Sequence, residues 1–134
     1  MNLSDVLAVV EDQNRGAVLE LLDPFHGTPT GIKLTIAGPD SLYAQRARVQ
    51  MADDLAEAAS AEGRVSGQDR EDCVISSLTR LILAWELVDE GKPVSLSHVA
   101  AVKLIRVPWV REQVDAFAGN RRNFASSKIK GMDA

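Results

Sequence analysis

The chain has 134 residues, 46% of them apolar and 25% charged, with a formal net charge of −4. That size and balance fit a single domain spanning 1–134, able to bury roughly two thirds of its unfolded surface. No apolar run approaches the roughly 18 residues of a membrane span, and the acidic balance argues against nucleic-acid binding through the whole surface. The lone Cys73 has no internal disulfide partner, and Met1-Asn-Leu-Ser-Asp5 lacks the basic start of a secretory signal. A reducing cytoplasm is the expected compartment.

Leu3, Val6, Leu7 and Val10 recur at helical spacing, so 3–13 reads as a short amphipathic helix capped by Asn2 or Ser4 and ended by Gly16. Ala17–Leu22 and Gly31–Ala37 read as strands, the second alternating Ile32, Leu34 and Ile36 with Lys33 and Thr35. The turn formers of 23–30 make them a hairpin. Two strands alone are marginal, so helices or another chain must cover them. Gly38 to Ser41 breaks the strand and caps a helix of about 20 residues. Its expected core stripe is Leu42, Val49, Ala52, Leu55, Ala56 and Ala59, with Arg46, Arg48, Asp53, Asp54 and Glu57 mostly outside it.

Gly63–Gly67 is the best internal linker. The next helix is expected to be the hydrophobic spine, carrying Val74, Leu78, Leu81, Ile82 and Trp85 on one stripe. Asp89–Pro93 terminates it. Ser95 or Ser97 then caps a short helix with Val99, Val102 and Ile105. Pro108 opens a last helix with Val110, Val114 and Phe117 on one face, and Gly119 ends it. The expected fold is α+β and mostly helical: an N-terminal helix, one β-hairpin, then a bundle of about four helices. It divides into a helix plus hairpin (1–38), a helical body (40–118) and a basic C-terminal tail (119–134).

Charge is uneven along the chain. Residues 1–100 hold 8 Lys/Arg against 16 Asp/Glu, whereas 101–134 hold 7 against 3. The basic tail, with Arg121, Arg122 and Phe124, is therefore available to an acidic protein surface, including another copy of the same body. Catalytic chemistry finds little support. His26 and His98 have no companions at ligand spacing, and no metal or cofactor is expected. Cys73 reads as a small core residue, and the neighbouring carboxylates of Asp53 and Asp54 point about 100° apart on a helix. The helices over 97–105 and 109–118 have the outline of a helix-turn-helix, but Glu112 and Asp115 suit a phosphate-lined groove poorly.

The last third has a recognisable order of parts. A Gly91-Lys-Pro93 loop leads into a short helix, followed by Pro108-Trp-Val-Arg-Glu-Gln-Val-Asp-Ala-Phe117 and Asn120-Arg-Arg-Asn-Phe124. This stretch, from about Trp85 to Phe124, resembles the tail assembly chaperone-like proteins encoded by tailed phages and prophages. The resemblance implies a protein without catalytic activity that works in the cytoplasm of the infected cell. There it would coat the tape measure protein, bring tail tube subunits to it, and be absent from the finished virion. It also implies a longer form made by ribosomal frameshifting. On this reading Arg111, Arg121, Arg122 and Phe124 face the partner, and Trp85, Trp109, Val110, Val114 and Phe117 form the structural hub. The alternatives are a structural virion protein, whose 17–37 hairpin adds strands to a neighbour's sheet, and a small DNA-binding regulator.

Overall fold

Asn2 and Asp5 open the chain's first helix, α1 (Leu3–Arg15): the Asp5 carboxylate accepts from the Asn2 amide at 2.8 Å and satisfies one donor of the first turn. A computed structural model describes residues 1–125, so Lys128 and Lys130 of the expected basic tail lie outside the described residues. Gly16 turns the chain sharply at φ 78°. A Cβ there would stand 2.6 Å from the Ile36 carbonyl oxygen, so only glycine fits between α1 and the sheet.

β1 (Ala17–Leu22) and β2 (Pro29–Ile36) form the expected antiparallel hairpin, pairing Ala17 with Ile36 and Glu20 with Lys33. Leu21, Leu34 and Ile36 are wholly buried. The opposite face is wet, as in a half-buried antiparallel sheet, and Lys33 lies between Glu20 and Glu86 on it. A third strand, β3 (Ile82–Glu86), completes the sheet in the order β1-β2-β3.

That strand corrects the expected spine. α3 spans Gly67–Thr79 and ends before Leu81, Ile82 and Trp85, so those residues do not share a helical stripe with Val74 and Leu78. The Thr79 hydroxyl donates to the Ser76 carbonyl at 2.7 Å in the last turn, a local bond that competes with continued helix. A two-stranded hairpin needs a third strand, and the run Ile82-Leu-Ala-Trp85 supplies it against β2.

α2 (Leu42–Ala58) is capped by the Ser41 hydroxyl, which accepts from the Ala44 amide at 3.0 Å. Its orientation is a second correction. The residues it buries are Ala44 and Ala47, whereas Leu42 and Val49 of the expected stripe are 47% and 60% exposed. Small residues let α2 lie close against α3, and the larger branched side chains turn outward.

α4 (His98–Ile105) is capped by Ser97 and α5 (Pro108–Ala118) starts on Pro108, as expected from their sequences. Ala101, Ile105, Val110, Val114 and Ala118 join the strands and α3 in one hydrophobic cluster. Trp85, Trp109 and Phe117 pack against that cluster while partly buried. A 3-10 turn over Arg121–Phe124 closes the described chain. No helix among the described residues is long and apolar enough to cross a membrane.

Candidate partner-binding surface

A broad concavity is built from the segment after β3. A small hairpin, β4 (Val88–Asp89) and β5 (Lys92–Pro93), turns at Glu90 (φ 50°) and Gly91 (φ 78°), the pair of positive φ values that a tight two-residue hairpin turn requires. One bond extends its ladder and a second ties it to the core. The Val94 amide donates to the Leu87 carbonyl at 2.8 Å, and the Trp85 indole N–H donates to the Val94 carbonyl at 2.8 Å. Trp85 therefore acts as a bracket between the sheet and the hairpin.

α4 runs beside this hairpin. Its inward side carries Ala101 and Ile105, 2% and 0% exposed. Beyond it, Val99, Leu104 and Val107 line, with Leu87, Val88 and Val94, a groove of about 680 Å³. Val88 and Val99 are 61% and 66% exposed, which leaves an apolar trough open to solvent. Asp89 and Lys103 stand on its lining with opposite charges. An amphipathic helix or extended apolar segment fits such a trough.

The basic segment takes a different part from the one its charge suggests. Arg106 pairs with Asp72 at 3.0 Å, Arg111 with Glu71 at 3.1 Å, and Arg121 with Asp40 at 2.7 Å. Arg121 grips both Asp40 oxygens, and Gln13 donates to the same carboxylate at 3.0 Å. The Arg121 hydrogen bonds hold the Asp40 carboxyl below its ordinary value, against a smaller opposing effect of burial.

Phe124 is a correction. It was expected to face a partner, but it is only 5% exposed and meets the Phe117 ring edge-on at a centroid distance of 5.5 Å. The 3-10 turn folds it inward. Among the residues expected to face a partner, Arg111 and Arg121 hold internal ion pairs and Phe124 is core, whereas Arg122 is exposed. Arg121, Arg122 and Phe124 border one small hollow beside α1, whereas Arg111 lies apart against α3.

Other features bear on the alternative readings. At the β1 edge, the Gln113 side chain donates to the Leu22 carbonyl and accepts from its amide, both at 2.8 Å. It copies a neighbouring strand and blocks strand addition there. α5 turns Glu112 and Asp115 to solvent, poor chemistry for a DNA groove. Burial and the nearby Asp54, Asp69 and Asp72 push the Cys73 thiol up, which disfavours the thiolate a nucleophile needs. Among the described residues no three His, Cys, Asp or Glu side chains are grouped to hold a metal ion.

The groove residues were the ones sequence reasoning missed. Val88, Val94, Val99 and Leu104 lay in the right segment, but they belong to a β-hairpin and a helix whose mutual placement no local pattern reports. Comparison of the chain with protein-family models, curated proteins and solved structures finds no match.

Proposed function

We propose that this protein is a non-enzymatic tail assembly chaperone of a tailed phage or prophage. It binds the tape measure protein in the cytoplasm of the infected cell and assists assembly of the tail tube around it. The observation that carries the reading is the coincidence of two things. The segment that resembles such chaperones, Trp85 to Phe124, contains every residue that lines the open apolar groove. A tape measure protein is a long helical chain, and a trough with apolar walls and opposite charges on its lining suits the apolar stripe of such a helix. Burying that stripe would keep the unassembled chain from aggregating, with no chemical step involved.

Co-expression tests the reading. The wild-type protein is expected to hold the tape measure protein of the same phage in the soluble fraction. Val99→Glu places a charge in the trough at an exposed position, so the fold survives and the tape measure protein returns to the pellet. If the wild type leaves it in the pellet, the chaperone assignment fails. Mass spectrometry of purified virions supplies the other arm: stoichiometric copies in the particle would make this a structural virion protein instead.

A further inference from the structure

α2 turns to solvent the side that its sequence marks as apolar. Leu42, Val49 and Ala56 lie seven residues apart, with Gln45, Ala52 and Ala59 three residues after each. These are the a and d positions of a heptad, the spacing of a helix that packs along another helix. Every one of them from Leu42 to Ala56 is exposed, and Ala59 at the C-cap is half-buried. One flank of the seam carries Arg46 and Asp53, both exposed and in no ion pair among the described residues. On the other flank Arg48 folds back and donates to the Pro39 carbonyl at 3.0 Å, and Leu55 is half-buried.

We infer that α2 is a self-association surface, pairing antiparallel with α2 of a second copy about a two-fold axis near Gln50 and Met51. The register follows from size and charge together. Antiparallel pairing sets Leu42 against the second copy's Ala59, Gln45 against its Ala56 and Val49 against its Ala52, so each larger side chain meets an alanine. In that geometry each flank faces its own symmetry copy. Arg46 then meets Asp53 of the second copy, and Asp53 meets its Arg46, giving two interchain ion pairs from residues that have none among the described residues.

The ground beside Arg46 suits an incoming carboxylate. Tyr43, Arg46, Gln50 and Arg80 border a hollow of about 260 Å³ with no acid in its lining, and Arg80 there pairs with Asp54 at 3.4 Å. A parallel pairing is poorer. It stacks Gln45 on Gln45, leaves Arg46 without an acid, and needs Arg48 to abandon Pro39. This surface is independent of the groove along α4, so its test stands apart from the chaperone reading. One helix face about 25 Å long falls short of the ~1,200 Å² that stable interfaces bury, which makes the dimer weak and concentration-dependent.

Sedimentation equilibrium of the full chain, from micromolar to millimolar concentration, reads this directly. The wild type is expected to move from monomer toward dimer, and added salt to oppose it. Arg46→Asp or Asp53→Arg alone replaces two attractive pairs by two repulsive ones and should weaken the dimer by roughly tenfold. The double variant Arg46→Asp with Asp53→Arg restores both pairs and should recover wild-type association. Circular dichroism of each variant should match the wild type, since both positions are exposed. A wild type that stays monomeric throughout overturns the inference, and so does a double variant no better than the singles. The parallel arrangement predicts that second result, because Arg48 would then oppose the new arginine at position 53.

Discussion

Phe124 offers the sharpest test of how the C-terminal segment is held. A buried phenyl ring removes roughly 150–250 Å² from water, and at about 25 cal/mol per Å² that sets an upper bound of about 4–6 kcal/mol. Its seat is not deep. The ring borders a hollow of about 140 Å³ lined also by Val9, Gln13 and Arg122, so neighbours can close on a vacated site. Phe124→Ala should therefore sit near the low end of the range for such truncations, about 3 kcal/mol. Part of that is the edge-on contact with Phe117, worth about 0.5–1.5 kcal/mol. Phe124→Leu keeps the apolar volume and forfeits the ring contact, so it should lose only about 1 kcal/mol. Urea denaturation followed by the fluorescence of Trp85 and Trp109 measures both, since these indoles pack against the cluster that Phe124 belongs to. If Phe124→Ala loses less than about 1 kcal/mol yet partner binding falls, the ring faces outward and the packing argument is wrong.

Three further outcomes are expected. Asp40 has its folded-state pKa lowered by Arg121 and Gln13 from an ordinary value near 3.8; its contribution is therefore fully present above that value and is lost as pH falls through the folded one. Asp40→Asn should flatten the acid limb of stability against pH below about 4, and an unchanged limb in acid titrations would remove Asp40 from that role. Gly16→Ala forces a side chain into the Ile36 carbonyl at positive φ and should cost more than about 1 kcal/mol of stability, read as a lowered urea midpoint. Trp85→Phe keeps the packing but deletes the bond to Val94, at about 0.5–1.5 kcal/mol, and amide exchange should quicken selectively in the β4–β5 hairpin.

Much of the fold was legible because its boundaries carry their own chemistry. Ser41 and Ser97 cap α2 and α4, Pro108 opens α5, and the turn formers between Leu22 and Pro29 announce the hairpin. These signals act over three or four residues, which is the range a sequence displays. The end of α3 was not legible. Val74, Leu78, Leu81, Ile82 and Trp85 keep helical spacing, but a five-residue apolar run satisfies strand and helix templates alike. What decides it is the unpaired edge of β2, a long-range demand. The face of α2 was misread for a related reason: amphipathic spacing says that a helix has an apolar side, not that its own chain covers that side.

The uneven charge teaches the opposite lesson. A basic segment after an acidic body suggests attraction to a partner, yet three of its cations pair within the chain. Arg106 and Arg111 reach the acidic start of α3 at Asp72 and Glu71, and Arg121 reaches Asp40 ahead of α2. Exposed ion pairs of this kind are worth only about 0–1 kcal/mol each, so they do not account for stability. Their value lies in register: three bonds from three successive segments fix how α4, α5 and the final turn sit on the body, and thereby fix Phe124 in its seat. With those three charges spent internally, the proposed recognition rests on apolar surface, which the described chain exposes along the groove beside α4 and the outward seam of α2, among other places. In both proposals charge would then select orientation, through Asp89 and Lys103 in the one and Arg46 and Asp53 in the other.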